Sequence, residues 1–553
     1  MGMTKHFLTY IREQIERGEN NPALTDLEGQ VSYTYGEMGV QIERLRVLFD
    51  LFGIKEGEKI ALCGKNCSNW VVAFLAIAAA KRVVVSILPE FSAENIYSLV
   101  QHSDAKMLFA GPLVWKTLEA DKFANLEAVV SLSDFELLVS KNAEIASKYA
   151  EWETAFSNRY PQGVNVKSLD WPNENLDDLV LINYTSGTTS QPKGVMLSNE
   201  NISNNVEYGQ IRIPNHPGQA SIVVLPLAHM FGLVLGLLYQ LAGGTHCYFL
   251  GRNPSPSSLK KAFEQVHPYM LVTVPLILEK VVRKNVIPVL NKQPIKFLWH
   301  TPILRKIVQK KIFKELQKAF GGQLGYVEIG GAALSEDVEK ILVSIGFPIT
   351  VGYGMTETAP LIGYEDWQQF RPHTCGRIAG GMELRIDSRN QHKEVGEVQV
   401  KGKNVMLGYY KNEEATKAAF TEDGWLKTGD LGVIDKDGYI HLRGRSKNMI
   451  LGASGQNIYP EEIEDKLNSL DGVAESVVVE RDGKLVGLVY PESLQALGAK
   501  YDELKDKIAE QMKANLEKLN QILPKFSKVS KIEVVDKEFE KTPKRSIKRF
   551  LYK

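Results

Sequence analysis

Tyr184-Thr185-Ser186-Gly187-Thr188-Thr189-Ser190-Gln191-Pro192-Lys193-Gly194 is the stretch on which the reading of this 553-residue chain turns. An apolar run, Leu179–Ile182, leads into it and an extended one, Val195–Leu197, follows, so the segment joins two strands. Five hydroxyl residues flank a glycine that tolerates positive φ. Successive backbone N–H groups can then converge as an anion nest with hydroxyl donors around it. Lys193 adds a point charge suited to phosphate. Ser, Thr and Gly are also what ordinary polar loops contain, but five hydroxyls followed by a Pro-Lys-Gly turn are much rarer than a polar loop. A Walker A loop is excluded: its lysine follows a glycine and precedes a hydroxyl, whereas Lys193 precedes Gly194 and no hydroxyl follows.

Working outward, the first half alternates helical patterns with short β-branched runs. Tyr35–Leu51 reads as helix, Lys59–Cys63 as strand, Asn69–Lys81 as helix and Val83–Ile87 as strand. Similar extended runs recur at Lys106–Phe109, Ala128–Leu132, Ile222–Leu225, Tyr269–Val274 and Gly325–Ile329, with a helix at Ser335–Ser344. That alternation predicts an α/β fold with parallel sheets. From about Glu383 the texture changes to short strands with turn signals, and Asp435-Lys436-Asp437-Gly438 between β-rich runs is a hairpin signature. Beyond a domain boundary placed at Arg445–Asn448 come a helix at Pro460–Ser469, strands near Glu475–Glu480 and Leu485–Val489, and a long charged helix from Asp502 to Leu519. The expected organisation is a large N-terminal domain, 1–445, with a β-rich subdomain at about 383–445. A small α+β domain follows at 446–553.

Composition narrows the function classes. Lys+Arg and Asp+Glu each number 66, which removes the overall footprint of a dedicated nucleic-acid binder. Four cysteines without a paired zinc pattern point to a reducing compartment and no structural metal. The N-terminus lacks a signal-peptide organisation, so a cytoplasmic protein is expected. The most apolar stretches, Val71–Leu88 and Ile222–Leu250, are broken by Lys81-Arg82 and by Pro226, His229 and two glycines, so they read as buried elements; peripheral contact with the inner face of a membrane stays open.

Further motifs follow the first in order. They are Gly330-Gly331-Ala332-Ala333-Leu334, Gly352-Tyr353-Gly354-Met355-Thr356-Glu357-Thr358, Trp425-Leu426-Lys427-Thr428-Gly429-Asp430 and Arg443-Gly444-Arg445-Ser446-Lys447. Together with the hydroxyl loop they resemble the signatures of the adenylate-forming superfamily, and the resemblance covers nearly the whole chain. One departure is Ser190, where that family usually has glycine.

The resemblance implies a nucleotide site. Thr185, Ser186, Gly187, Thr188, Thr189 and Lys193 would hold phosphate, and Gly331 and Ala332 would flank adenine. Tyr353 and Gly354 would border the base, with the tyrosine offering a flat face. Thr356 would offer a hydroxyl to phosphate, and Glu357 would be a hard anionic ligand for Mg2+. Asp430 can accept from ribose hydroxyls and Arg445 can donate to them. His229, within Pro226-Leu227-Ala228-His229-Met230-Phe231-Gly232, resembles the family histidine that lines the acyl carboxylate pocket.

The implied reaction has two halves. A carboxylate attacks the α-phosphorus of ATP and expels pyrophosphate; the thiol of coenzyme A then attacks the acyl carbonyl and expels AMP. The resemblance implies that the small domain is mobile and turns about Lys447 between the halves, bringing Gly455 and its glycine-rich neighbours to the coenzyme A tunnel. The spacing from Lys447 to Pro460, and the basic segment Lys310–Gly322, resemble long-chain fatty acyl-CoA synthetases, which implies a fatty acid substrate. A fatty acyl-AMP ligase that loads a carrier protein, a nucleotide-binding protein without turnover and a peripheral membrane or scaffolding protein are the alternatives. The C-terminal lysine of adenylation falls on Ser546 in a gap-free match, so Lys544 and, behind it, Lys548 are the candidates for its role.

Overall fold

The β-branched runs of the first half find each other as parallel neighbours, because each is apolar on both faces and needs cover on both. The computed structural model describes residues 4–552 except 30, 124, 173, 186–191, 252–253, 452–456, 482, 498–500 and 543–546, with backbone alone at 300, 302–303, 495–497, 501–504 and 526. Eight strands form one sheet in the order Gly408–Tyr409, Lys193–Ser198, Leu179–Thr185, Val83–Ile87, Lys59–Cys63, Ala105–Ala110, Ala128–Ser131, Leu137–Ser140. Its middle is parallel and its edges antiparallel. A second sheet of seven strands runs Ile349–Val351, Tyr326–Ile329, Met270–Thr273, Ala220–Val223, His246–Phe249, Pro22–Asp26, Ser32–Thr34.

Helices cover these sheets. Tyr35–Leu51 starts at a capping box, in which Thr34 accepts from the Glu37 N–H and the Glu37 carboxylate accepts from the Thr34 N–H. Ser68–Ala79 is buried along its whole length, as the unbroken apolar run Trp70–Ala79 requires. Among the described residues no helix is long and apolar enough to cross a membrane.

The change of texture after Glu383 corresponds to a four-stranded antiparallel sheet, Met382–Asp387, Gly396–Gly402, Leu426–Ile434 and Ile440–Arg445. The Asp-Gly turn closes its last hairpin, with Gly438 at φ +85°. Beyond it, Val473–Arg481 pairs antiparallel with Lys484–Pro491, and Val529–Val534 adds a parallel third strand that the sequence pattern did not announce. Ile463, Leu467, Val478, Leu485, Ile508 and Leu519 form a core of their own there, so the molecule has a large N-terminal part and a smaller C-terminal one.

Candidate active site

Three backbone devices bring distant motifs to one edge of the sheets. The two strands around the hydroxyl loop pair antiparallel, with Thr185 opposite Lys193. Gly408–Tyr409 extends the same sheet, with Tyr409 opposite Val195. The Met406 N–H then donates to the Glu357 carbonyl at 2.9 Å, which ties the Met355-Thr356-Glu357 turn to that strand. The turn itself needs glycine at 354, because a Cβ there would collide with the Pro360 carbonyl.

The Tyr409 hydroxyl donates to Glu357 Oε1 at 2.9 Å, and the Lys193 ammonium lies 4.7 Å from the centre of the Tyr409 ring. Lys193, Tyr409 and Glu357 therefore form one contiguous group. Burial, reinforced by the Glu357 charge and hydrogen bond, raises the Tyr409 phenol well above its ordinary range, so it stays protonated as a donor. Tyr409 carries no sequence signal of its own: Gly-Tyr-Tyr is an unremarkable strand end, and only the pairing with Val195 places it. Among the described residues no three His, Cys, Asp or Glu gather as a protein-only metal cage. A Mg2+ that takes one carboxylate and completes its shell with phosphate oxygens and water fits Glu357, whose Oε1 accepts from Tyr409 and whose second oxygen has no hydrogen bond among the described residues.

A second group surrounds Asp430 on Leu426–Ile434. Its Oδ2 accepts from the Tyr353 hydroxyl at 2.7 Å and its Oδ1 from Arg445 Nη1 at 2.6 Å. The Asp430 N–H donates to Thr428 Oγ1 at 3.1 Å, and Thr428 donates to the Val398 carbonyl at 2.8 Å. Tyr353 is buried, so its contribution here is a hydroxyl on Asp430 more than an open face for a base. Arg445 is half exposed and is spent on Asp430, leaving its remaining N–H groups for a ligand. Burial alone would lower the Arg445 guanidinium, but the Asp430 charge and hydrogen bond outweigh it, with Tyr353 and Glu357 adding to the rise. The two groups thus share one electrostatic neighbourhood.

His229 stands at the start of the short helix Met230–Leu233, half-buried. Its loop is fixed from two sides. Asn183, on the strand leading into the hydroxyl loop, donates to the Ala228 carbonyl at 2.8 Å, and Asn66 accepts from the Leu227 N–H at 2.9 Å. Gly330 lies so close to Phe231 that a Cβ would stand 3.0 Å from its ring. Gly331 has φ +83° and Ala332 is exposed beside it. Two residues before Gly330, Glu328 is fully buried with neither carboxylate oxygen hydrogen-bonded, and burial pushes its carboxyl up to about 8.

The C-terminal part meets this edge through Ile440–Arg445. Arg443 pairs with Glu462 at 3.4 Å, and Gly444, at φ +135°, lies where a Cβ would meet the Glu461 carboxylate at 2.8 Å. Lys447 is exposed in the single turn Ser446–Asn448. Lys548 is not brought to the site: its N–H donates to the Glu540 carbonyl at 2.8 Å and its ammonium pairs with the Glu540 carboxylate at 3.4 Å. Ser186, Gly187, Thr188, Thr189, Gly455 and Lys544 lie outside the described residues.

Two sheets of this order with a small appended α+β unit make the fold of adenylate-forming enzymes. Residues 11–410 match the AMP-binding enzyme family and residues 447–552 match the AMP-binding enzyme C-terminal domain. The chain belongs to the AMP-binding enzyme family. It is 28% identical over 473 residues to the long-chain-fatty-acid–CoA ligase FadD15 of Mycobacterium bovis, an alignment covering 81% of this chain and 75% of that one. Its fold is similar to that of ATP-bound MatB from Rhodopseudomonas palustris, with a TM-score of 0.75 and 22% identity over 98% of this chain and 97% of that one. It is also similar to the anthranilate CoA ligase AuaEII in complex with anthranoyl-AMP, with a TM-score of 0.79 and 18% identity over 100% and 97% of the two chains. Within the adenylate-forming superfamily the chain resembles the fatty acyl-CoA synthetases, and its coarse class is an acid–CoA ligase.

Proposed function

We propose that this protein activates a long-chain fatty acid as acyl-AMP and transfers the acyl group to coenzyme A, releasing AMP and pyrophosphate. The observation that carries the proposal is the convergence of Lys193, Tyr409 and Glu357 beside Tyr353, Asp430 and Arg445 on one edge. The first group has the charges an in-line displacement at phosphorus needs, a cation for the departing oxygens and a carboxylate for Mg2+. The second presents a fixed carboxylate and a half-exposed guanidinium, suited to two vicinal hydroxyls. The His229 loop and the Gly330–Phe231 contact border the place where the acyl carboxylate would lie. In this reading Lys447 is the pivot between an N-terminal domain ending at 445 and a C-terminal domain beginning at 446, and Lys544 supplies the adenylation lysine.

The similarity to a long-chain-fatty-acid–CoA ligase supports the acyl class, and the resemblance of the segment Lys310–Gly322 to long-chain synthetases supports it from within the sequence. The test is a pyrophosphate-release panel across acids from C2 to C18, with coenzyme A, with a phosphopantetheinyl carrier protein, and with neither. Release that peaks at long chains and thioester formed on free coenzyme A are the expected results. A peak at short or aromatic acids would overturn the chain-length reading, and thioester on the carrier alone would make the protein a carrier-loading ligase.

A further inference from the structure

Inside the large part, one carboxyl meets no group that answers it. Glu328 is buried on Tyr326–Ile329, and neither of its oxygens has a hydrogen-bond partner among the described residues. Its neighbours across the sheet supply none: Val272 is apolar, and the Thr350 hydroxyl donates to the Glu365 carbonyl at 2.6 Å. The Tyr239 hydroxyl is engaged as well, donating to the Ile213 carbonyl at 2.9 Å. Tyr364 differs. It is buried, its hydroxyl has no partner among the described residues, and its phenol is raised first by burial and next by the Glu328 charge. Buried polar groups are nearly always paired, so two left unpaired within one electrostatic neighbourhood suit a partner from outside the chain.

The face on which Glu328 lies ties this pair to the acyl side of the site. Residues two apart on a strand share a face, so Glu328 stands on the face of Gly330, about 6.6 Å from it along the chain. The ladder continues that far, since the Gly330 N–H donates to the Thr273 carbonyl at 3.2 Å. Gly330 in turn meets the ring of Phe231, which follows His229 by two residues. Behind Phe231 the helix widens into the π-helical turn Val234–Leu238, a kind of irregularity frequent at functional sites. Gln240 caps that turn, donating to the carbonyls of Leu235 and Gly236 at 3.2 and 3.1 Å. Gly236 is buried there, yet beyond its own helix a Cβ would meet only the Phe231 carbonyl, at 3.8 Å. The turn packs against Met270–Thr273, the strand beside that of Glu328, and against Asn199–Arg212, whose Tyr208 ring stands edge-on to Tyr364 at 6.1 Å. The room beside Gly236 and the two unpaired groups are therefore enclosed by the same elements.

We infer that Glu328 and Tyr364 form a polar subsite in the acyl pocket, and that the acid this protein prefers carries a hydroxyl group on its chain. The inference rests on the proposed activation of a long-chain acid and names the class within it. A protonated carboxyl offers one donor and one acceptor, and a phenol offers the same, so a neutral group that both donates and accepts satisfies the two together. Burial keeps the Glu328 carboxyl protonated at neutral pH, its pKa pushed up to about 8. An ammonium group would answer a carboxylate, but it would leave water for a single counter-charge and too few acceptors. A plain hydrocarbon chain leaves both groups unpaired, the condition under which a polar site rejects the analogue that lacks the hydroxyl.

The test uses the whole protein and compares hexadecanoic acid with its monohydroxy isomers, the hydroxyl stepped along the chain, by pyrophosphate release in the presence of coenzyme A. The parent should favour one isomer, or two adjacent ones, over the plain acid by about 10–100-fold in kcat/KM. Tyr364→Phe removes a hydroxyl that has no partner among the described residues and keeps the ring, so it should fold as the parent does and reduce that preference about five-fold. Glu328→Leu should abolish the preference and speed the plain acid, whereas Glu328→Gln, which keeps a donor and an acceptor, should retain most of it. A readout without turnover accompanies these rates: the favoured isomer should raise the Tm of the parent more than the plain acid does, and Tyr364→Phe should narrow the gap. A parent that turns over the plain acid as fast as every isomer, or a preference unchanged by Tyr364→Phe, overturns the inference and leaves the activation of long-chain acids standing. Absence of release with every long-chain acid, plain or hydroxylated, overturns that reading and the inference with it.

Discussion

Replacing Glu328 by Gln should make this protein more stable, and increasingly so as pH rises. The carboxyl is fully buried on Tyr326–Ile329, neither oxygen has a hydrogen-bond donor, and its pKa is pushed from 4.5 to about 8. Gln keeps the length and the neutral character of the protonated acid and cannot ionise. The folded protein holds the Glu328 proton more tightly than the unfolded chain, so between pH 4.5 and 8 unfolding releases it and stability falls as pH rises. At 1.36 kcal/mol per pH unit of differential binding, the parent is disfavoured relative to a neutral side chain by about 1 kcal/mol at pH 5. The deficit grows to about 3 kcal/mol at pH 7 and about 5 kcal/mol at pH 9. Urea unfolding followed by tryptophan fluorescence, parent and variant side by side at the three pH values, measures the trend; the slope of the difference matters more than its offset, because the Gln amide has its own cost of burial. A difference that stays flat from pH 5 to pH 9, or a variant less stable than the parent at pH 9, would refute the argument that Glu328 is buried without a compensating charge.

Other perturbations address the site. Glu357→Gln and Lys193→Ala should each cut pyrophosphate exchange by roughly 10²–10³-fold, the scale of one preorganised electrostatic stabiliser; near-parental exchange in folded protein would remove either residue from the proposed chemistry. Tyr409→Phe deletes one hydrogen bond to the Glu357 carboxylate at 2.9 Å and should lower kcat/KM for adenylation by about 10-fold, with little change in thermal stability. Lys447→Pro should depress thioester formation much more than adenylation, since fixing φ near −65° restricts a pivot; equal loss in both half-reactions measured separately would rule that pivot out. Lys544→Ala should slow acyl-AMP formation and spare transfer from supplied acyl-AMP, whereas Lys548→Ala, whose ammonium already pairs with Glu540, should change neither rate.

Local pattern carried the elements well because burial on both faces leaves a mark on composition. Val83–Ile87 and Lys59–Cys63 are strands with the limits their β-branched runs suggest, and Asp437-Gly438 is the hairpin turn expected of it. What pattern could not carry is partnership across the chain. Val529–Val534 reads Val-Ser-Lys-Ile-Glu-Val, half-exposed and charged, and becomes a strand only because the edge of Lys484–Pro491 is there to receive it. Tyr409 reaches Glu357, 52 residues before it, through a two-residue strand too short to show a period. Asn201, Asn204 and Asn205 look like helix surface, yet they are buried and bond Lys403, Gly380, Asn404 and the Leu361 N–H, locking the helix Asn199–Arg212 to the segments that carry the nucleotide motifs. Motif reading placed Tyr353, Asp430 and Arg445 in one site but not on one another, because each motif was read for a ligand and the residues' bonds to each other are tertiary facts.

Those mutual bonds bear on the rotation proposed about Lys447. Arg445, two residues before the pivot, is held by Asp430 at 2.6 Å and runs in register opposite it on the neighbouring strand, so the nucleotide-facing side of the hinge is anchored. What crosses the hinge is weaker. Arg443–Glu462 is an ion pair 3.4 Å long with both side chains about two-fifths exposed, a kind of contact that contributes only about 0–1 kcal/mol. On the same helix, Pro460–Asn468, burial raises the Asp465 carboxyl to about 6, and Glu279, Glu336 and Asp337 across the interface add to the rise against the partial relief of Lys466. A carboxyl raised in this way is a cost to the docked arrangement that grows as pH passes upward through the ordinary carboxylate range toward 6. Near neutral pH the helix therefore meets the large part, among the described residues, with the ion pair Arg443–Glu462 and an ionised Asp465 facing three carboxylates, of which Glu336 is paired with Lys340 and Asp337 with Arg283. An enzyme that had to keep a single arrangement would gain by replacing Asp465 with an apolar residue. Under the proposed rotation about Lys447, contacts of this strength would let the surface part in each cycle, while the Arg445–Asp430 bond would stay with the large part.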